Sequence, residues 1–200
     1  MVAERTAESE IERLVTCWAV WRDSGDWDRF ATVWHDDGRM MATWFQGPAT
    51  DFIAANKRAW DRGIFILHLL SGTVVDVEGR RAIAQTKMTI NQRAAVHGVL
   101  CDVTCTGRFY DFLECRDGRW GIVLRQPIYE RDRIDPVDLA GQVQLDQARL
   151  ERWPEGYRHL AYLQTELGFE VEPNMPGLTG AVVSDLYARG ARWLAGGPGD

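Results

Sequence analysis

The most apolar segment of the chain, residues 63–77, is rich in branched and aromatic side chains, lacks proline and ends at the turn pair Glu78–Gly79. This composition predicts a long β-strand. Because side chains alternate along a strand, one face would carry Ile64, Ile66, His68, Leu70 and Val74, and the other Phe65, Leu67, Leu69 and Val75. Both faces are apolar, so we expect both to be covered. His68, in the middle of one face, fits either a hydrogen-bonded core histidine or a site residue.

Residues 8–23 repeat apolar side chains at spacings of three and four, which predicts an amphipathic helix. The inward positions would be Ile11, Leu14, Val15, Trp18 and Trp21, and the outward ones Glu10, Glu12, Arg13 and Arg22. Ser9 or Glu8 is expected to cap the helix, which ends at Asp23-Ser24-Gly25. Asp23 lies at the negative end of the helix dipole, where a carboxylate is mildly unfavourable. It therefore needs a cationic or imidazole partner, unless it is a solvated turn residue.

The pattern of the remaining residues up to Pro136 predicts further helices and then long strands. The elements are a helix at 27–34 capped by Asp26, a turn at 35–38 with His35 on the surface, a strand at 39–46, a helix at 49–61, and strands at 81–91, 99–115 and 120–129. Asp117–Gly118 is a strong signal for a two-residue hairpin turn. Helices that precede a run of strands predict an α+β fold, with N-terminal helices packed on a strongly curved antiparallel sheet.

Pro136 closes this first part, so the chain divides into residues 1–135 and 136–200. The second part predicts a weak helix at 137–152 and better ones at 154–168 and 178–194. We expect it to form a helical C-terminal extension that packs on the same domain or on a neighbouring subunit. His159 is expected on a helix surface.

Charge and composition narrow the range of partners. The formal net charge is −6, the sequence pI is about 5.3, and no basic run is longer than a pair. Binding to a phosphate backbone needs clustered Lys and Arg, so we expect no nucleic-acid partner. The N-terminus is charged, and the longest apolar run, residues 64–70, is too short to span a bilayer. We therefore expect a cytoplasmic protein with no membrane partner.

The four cysteines do not form a recognisable metal or disulfide motif. Cys101 and Cys105 would lie about 13 Å apart on one strand, and Cys17 and Cys115 lack a CxxC partner. All four are interpreted as small buried hydrophobic residues in a reducing compartment. HExxH, P-loop and GxGxxG motifs are absent from the sequence, so we expect neither a metal nor a cofactor.

Three segments, WRDSGDWDRFATVWHDDG, ILHLLSGTVVDVEG and YDFLECRDGRWGIVLR, together with the order of the elements, resemble the cone-shaped NTF2-like fold and its SnoaL-like branch. They are similar to the matching blocks of hexachlorocyclohexane dehydrochlorinase and scytalone dehydratase. The resemblance covers residues 8–133. It implies a cofactor-free lyase in which a His–Asp pair removes a proton from the substrate.

Residue by residue, the resemblance places the acid at Asp23, the base at His68 and a charge-stabilising arginine at Arg125. Trp18 occupies the position of a dehydrochlorinase lysine, which argues against halide release and suggests an apolar or aromatic group there. His97 is a loose match for the second histidine of the dehydratase.

The chemistry of these side chains is consistent with that implication, because a neutral imidazole is a usable base near neutral pH. Arg125 could pair with Asp23, contact an anionic substrate group, or form an ordinary cross-strand salt bridge. The candidate substrate-binding residues are Trp18, Trp44, Trp60, Tyr110 and Tyr129.

The leading functional hypothesis is a cofactor-independent lyase that dehydrates, eliminates from or cleaves a small hydrophobic, aromatic substrate. The alternatives are an isomerase or cyclase of the same fold and a non-catalytic scaffold, such as the small subunit of a ring-hydroxylating oxygenase. We expect a homo-oligomer, either a dimer or a trimer.

Overall fold

A computed structural model describes residues 6–138 and 140–198. In chain order the elements are α1 (Ala7–Asp23), α2 (Trp27–Ala31), β1 (Trp34–Ala42), β2 (Phe45–Pro48), α3 (Ala49–Asp61), β3 (Ile66–Glu78), β4 (Arg81–Val96), β5 (Val99–Arg116), β6 (Arg119–Pro136), α4 (Gln147–Leu150), α5 (Arg158–Glu166) and α6 (Ala181–Leu194). Within these ranges, none of the helices is long and apolar enough to cross a membrane.

The strands form one curved, unclosed six-stranded sheet in the order β2-β1-β6-β5-β4-β3. Neighbouring strands are antiparallel except β1 and β6, which are parallel. The turns after β4 and β5 use the pairs His97–Gly98 and Asp117–Gly118, all with positive φ. Such turns match the twist of the adjoining strands. The predicted α+β fold with a curved sheet is therefore confirmed, with one parallel pair added.

The two faces of the sheet are covered by different helices. Helices α1, α3 and α5 belong to the main hydrophobic core on the concave face, while α6 packs on the convex face in a second cluster. Gly190 allows α6 to approach the sheet closely, since a Cβ there would lie 1.9 Å from the Tyr110 hydroxyl oxygen. The C-terminal extension thus contributes a helix to each face of the same sheet.

The outer face of β3 is not covered in this chain, contrary to expectation. Leu67 is 56% exposed and Leu69 is 72% exposed, because β3 is the edge strand and α6 packs farther along the sheet. The register also shifts between Leu70 and Thr73. This irregularity ends the simple alternation of side chains, so Val74 is exposed instead of sharing the inner face with His68.

Helix α1 buries a charged residue that its apolar pattern does not predict. Ile11, Val15, Trp18 and Arg22 follow the spacing of a single helical stripe, and all four are buried. The prediction that Arg22 lies outward is therefore wrong. The N-terminal cap is Thr6, whose side chain accepts the Ser9 backbone N–H, and not Ser9 or Glu8.

The segment 35–38 belongs to β1 and is not a surface turn. His35 is buried, its Nε2 donates to the Glu114 carbonyl oxygen at 2.8 Å, and its Nδ1 accepts from Arg119 at 3.1 Å. Residues 35–38 form an irregular part of β1, where the register with the distant strand β6 shifts between Trp34 and Arg39. Acidic residues and a glycine in sequence do not reveal such a long-range pairing.

Other boundaries differ by several residues. Helix α2 ends at Ala31, β4 and β6 continue to Val96 and Pro136, and the predicted helix at 137–152 is reduced to Gln147–Leu150. All four cysteines are free thiols. Only Cys101 and Cys105 are buried, whereas Cys17 and Cys115 are partly exposed, so the interpretation of all four as buried residues is half right.

Candidate functional site

Asp23, at the end of α1, and His68, in β3, are in direct contact. The Asp23 Oδ1 atom lies 2.9 Å from His68 Nδ1, and Oδ2 accepts the backbone N–H of His68 at 2.5 Å. The two side chains are only 15% and 7% exposed. Because both carboxylate oxygens bind the same residue, the carboxylate and the imidazole are held in one relative orientation.

A buried arginine supports the carboxylate. Arg22 donates to Asp23 Oδ1 at 3.1 Å, to Asn56 Oδ1 at 2.7 Å and to the Ile66 carbonyl oxygen. Burial raises the pKa of Asp23, but the His68 hydrogen bond and the positive charge of Arg22 outweigh it. The pKa of Asp23 therefore lies below its ordinary value, and the carboxylate is ionised at neutral pH.

His68 is neutral at the same pH. Burial, with a smaller contribution from the charges of Arg22 and Arg125, lowers the pKa of His68 below its ordinary 6.5, and the opposing effect of Asp23 does not compensate. An ionised Asp23 accepts the proton on Nδ1, so the lone pair of the imidazole is on Nε2. Within residues 6–138 and 140–198, Nε2 has no hydrogen-bond partner. The pair is thus an oriented imidazole base with its basic nitrogen unoccupied.

His68 lines a small apolar cavity of about 30 Å³, which is enough for about one water molecule. The other lining residues are Trp18, Arg22, Met40, Ala42, Thr43, Trp44, Phe52, Ile66, Ile90, Phe109, Pro127, Tyr129, Leu160 and Gln164. The edge-on contact between the His68 and Trp18 rings, at a centroid distance of 5.1 Å and an angle of 85°, fixes the imidazole from the side. The hollow predicted around the base exists, but packed side chains fill most of it.

Of the five predicted substrate-binding residues, Trp18, Trp44 and Tyr129 line this cavity. Tyr110 does not, because it lies on the convex face, where its ring contacts Tyr187 of α6. Trp60 also lies outside the cavity and packs on Trp27 and Phe65. These two predictions are not supported by the structure.

Arg125 forms a buried ion pair with Asp111, on the facing strand β5. Two hydrogen bonds of 2.7 and 2.6 Å join them, and both side chains are fully buried. The guanidinium lies 4.2 Å from the Trp18 ring centroid and 4.0 Å from that of Phe109, behind two rings that line the cavity. Arg125 therefore neither pairs with Asp23 nor lines the cavity. The predicted direct role in stabilising substrate charge lacks geometric support.

The sequence did not reveal the partner of Arg125, because a bulge shifts the register between β5 and β6. Counting outward from the hairpin turn at Asp117–Gly118 pairs Asp111 with Leu124, but the register shifts between Phe112 and Leu113. The extra residue is Val123, which joins Leu124 on the convex face, and Arg125 then faces Asp111. Strict alternation along β6 would place Val123 on the same face as Arg125, and the bulge moves it to the opposite face.

Three site residues were missed in the sequence. Arg22 and Asn56 lie on the buried stripes of α1 and α3, and this spacing is the signal that could have identified them. Gln164 comes from α5 in the C-terminal extension, where no local pattern relates it to His68.

The other predicted histidines lie outside the cavity. His97 is at the β4–β5 turn, where its ring nitrogens contact the Gln144 carbonyl oxygen and the Tyr162 hydroxyl. It is therefore not a second histidine of the site. His159 is partly buried and its Nδ1 lies 2.8 Å from Asp132 Oδ1, so it is not a free surface residue.

The fold and the site together define a class of protein: a curved sheet with helices on its concave face that enclose a His–Asp pair. The SnoaL-like domain family model matches residues 3–126, and the chain belongs to this family. The resemblance seen in the sequence is therefore confirmed.

Two fungal relatives are similar along nearly the whole chain. Pea pathogenicity protein 2 of Fusarium vanettenii is 37% identical over 198 residues, which is 94% of this chain and 85% of the relative. The uncharacterized protein AN9274 of Emericella nidulans is 32% identical over 212 residues, covering 98% and 88% of the two chains. Both alignments reach into the C-terminal extension.

Similarity to solved structures is lower and shows the fold alone. A candidate scytalone dehydratase from Novosphingobium aromaticivorans has a TM-score of 0.53 at 15% identity and covers 68% of this chain and 95% of its own. A hexachlorocyclohexane dehydrochlorinase from Novosphingobium barchaimii has a TM-score of 0.53 at 17% identity, with 70% and 94% covered.

Proposed function

We propose that this protein is a cofactor-independent lyase in which His68 removes a proton from a small hydrophobic, aromatic substrate. The observation that carries the proposal is the neutral imidazole, oriented by ionised Asp23, with an unoccupied Nε2 beside an apolar cavity. The dehydratase and dehydrochlorinase with the same fold add support, since both names denote elimination reactions.

The proposed step transfers one proton to His68 and expels the leaving group with one electron pair. The Nε2 lone pair of His68 takes the proton, the C–H electrons form a carbon–carbon double bond, and the leaving group departs with the electrons of its own bond. Asp23 stabilises the imidazolium that forms, as the acid of a serine-protease triad does. General base catalysis of this kind contributes roughly 10²–10⁴-fold in rate.

The walls favour an aromatic substrate, because the rings of Trp18, Trp44, Phe52 and Phe109 all line the cavity. In the closed form, 30 Å³ is far below the roughly 150 Å³ that a benzene molecule needs. Substrate entry therefore requires a wall to move. The movable candidates are α5, which contributes Leu160 and Gln164, and the β1–β2 turn, which contributes Thr43 and Trp44.

The proposal is tested by screening aromatic catabolites with native protein, His68→Ala and His159→Ala, and following elimination products by absorbance and mass spectrometry. His159 has its own aspartate partner but lies outside the cavity, so its variant controls for the loss of a histidine. We expect His68→Ala to lose most of the turnover and His159→Ala to retain it. If His68→Ala and native protein convert a substrate equally, His68 is not the base.

A second candidate function is that of a non-catalytic scaffold, such as the small subunit of a ring-hydroxylating oxygenase. The uncovered outer face of β3, with exposed Leu67 and Leu69 and with exposed Phe65 just before the strand, favours it. In that case Leu67→Lys with Leu69→Lys would change the size of the assembly measured by light scattering. His68→Ala would then affect no activity.

A further inference from the structure

A second cavity lies on the convex face of the sheet, between α6 and the strands β1, β5 and β6. Its volume is about 300 Å³, against about 30 Å³ for the His68 cavity, and it falls at the lower end of the range of small-molecule sites. Helix α6, which completes the cavity, lies outside residues 3–126 that match the family domain. Most of the lining is apolar and consists of Met41, Phe112, Val123, Leu124 and Trp193.

The floor and one wall of this cavity are fixed by the backbone and by buried contacts. The bulge in β6 puts two consecutive side chains, Val123 and Leu124, on the convex face. Bulges are frequent beside binding sites, because the extra residue directs a side chain to a new position. The wall is Trp193, whose indole Nε1–H donates to the Leu113 carbonyl oxygen at 3.3 Å and whose ring is covered by the Arg81 guanidinium at 4.0 Å. The apolar surface is therefore held in shape without a ligand.

The rim of the cavity carries a positive charge that no acid compensates. Among the described lining residues Asp37 alone is acidic, and its two carboxylate oxygens accept from Arg116, at 2.7 and 3.1 Å. Arg39, two residues further along β1, makes neither a side-chain hydrogen bond nor an ion pair in the part of the chain that the structure describes. A guanidinium can bind a carboxylate through two parallel N–H bonds. Arg39 thus offers its charge to an anion at the edge of an apolar surface.

We infer that this cavity binds a small aromatic monocarboxylate, whose rings pack on the apolar floor and whose carboxylate binds Arg39. An apolar cavity of about 150 Å³ holds one benzene ring, so about 300 Å³ has room for a molecule of two rings. The site does not involve His68. The inference therefore goes beyond the proposed function and does not depend on it.

The test uses two probes of nearly the same shape, 2-naphthoate and 2-naphthamide, of which only the first is charged. Their dissociation constants are measured by ligand-observed NMR at low ionic strength, where an exposed ion pair is least screened. Native protein is expected to bind the carboxylate about fivefold more tightly than the amide, the contribution of one partly exposed ion pair. Arg39→Met keeps an apolar stem without the charge and should reduce this ratio to near one. Arg62→Met is the matched control and should keep the native ratio, because Arg62 is an exposed arginine after α3 that does not line the cavity.

Two further variants test where the probes bind. Val123→Trp fills the cavity from its floor and should weaken the binding of both probes by about tenfold or more. His68→Ala should bind both probes as native protein does, and a loss of binding in this variant would place them in the other cavity and overturn the inference.

Other results would also overturn the inference. They are a native protein that binds neither probe, an Arg39→Met protein that retains the preference for the carboxylate, and a Val123→Trp protein, folded by circular dichroism, that binds both probes as native protein does. Probe binding that weakens as light scattering shows a growing assembly would mean that a second copy of the chain occupies this face instead. Arg39 is exposed, so its substitution gives a decisive result even if Val123→Trp does not fold.

Discussion

The molecule contains two histidine–aspartate pairs with almost the same local geometry. In each pair the carboxylate Oδ1 faces the imidazole Nδ1, at 2.9 Å between Asp23 and His68 and at 2.8 Å between Asp132 and His159. In each pair Oδ2 also accepts the backbone N–H of the same histidine. Judged by these contacts alone, the two pairs are equivalent.

Their surroundings differ. Asp132 is fully buried and accepts a third N–H, from Leu160, so it caps the first turn of α5. Asp23 instead contacts the guanidinium of Arg22. His68 is 7% exposed and lines the apolar cavity, whereas His159 is 22% exposed at the beginning of a helix. One pair orders a helix, and the other presents a base to a cavity.

The comparison teaches that a carboxylate-bound imidazole does not by itself mark an active site. The distinguishing features are the cavity beside the ring and the buried cation that keeps the acid ionised. Substitutions in either pair, or in the groups around it, should therefore have different effects on turnover and stability.

The largest effect is expected for the Asp23→Asn substitution, on turnover. The amide can offer an N–H to Nδ1 and favour the wrong tautomer, and it cannot stabilise the imidazolium. We expect kcat/KM to fall by roughly 10²–10⁴-fold for any substrate found in the screen. Asp132→Asn is the matched control, and turnover per folded molecule should change by less than tenfold. Equal losses in the two variants would mean that the pairs do not differ in function.

The next largest effect is expected for the Arg22→Met substitution, on the free energy of unfolding. This change leaves the Asp23 carboxylate without its cation and the side-chain oxygen of Asn56 without its donor, both in a buried setting. Breaking a buried ion pair costs roughly 3 kcal/mol in the free energy of unfolding. Urea denaturation of the variant and of native protein measures the difference. A loss below about 1 kcal/mol would show that the cation is not what holds Asp23 in place.

The same comparison explains what could be predicted from the sequence. Asp23 and His68 each stand out locally, as an acid at the wrong end of a helix and as a lone titratable group in an apolar strand. Their assignment as acid and base, however, came from the resemblance to the SnoaL-like family. Arg22 was missed because charged residues are assigned to the solvent side, although its spacing continues the stripe of Ile11, Val15 and Trp18. The hairpin turn at Asp117–Gly118 was found for a similar reason, since its signal is contained in two residues.

What depends on distant contacts could not be read from the sequence. The pairing of Arg125 with Asp111 was concealed by the extra residue Val123. The ring of the buried His35 bonds to Glu114 of β5 and Arg119 of β6, about eighty residues away in the chain. Gln164 lines the same cavity as His68 only because α5 packs on the concave face. In each case the deciding interaction joins segments whose own patterns carry no information about each other.

The pH dependence of both kcat/KM and the free energy of unfolding should follow from the lowered pKa of His68. The base must be neutral, so kcat/KM should remain constant as the pH falls through 6.5 and decline only at lower pH. The unfolded chain takes up a proton near pH 6.5 and the folded chain does not, so the free energy of unfolding should decrease below that pH. A pH–rate profile and denaturation at several pH values measure both effects. In Arg22→Met the acid limb should move to higher pH, because one cause of the lowered pKa is removed.

The smallest expected effect is that of His159→Ala on stability. The change removes the Nδ1–Asp132 contact but leaves the two backbone N–H groups that Asp132 accepts from α5. With the helix cap largely retained, the free energy of unfolding should fall by only about 1 kcal/mol, and turnover should not change. Thermal denaturation measures the first quantity and the elimination assay the second. A marked loss of turnover in a folded His159→Ala protein would mean that the second pair also takes part in the reaction, and the cavity would no longer be the feature that separates the two.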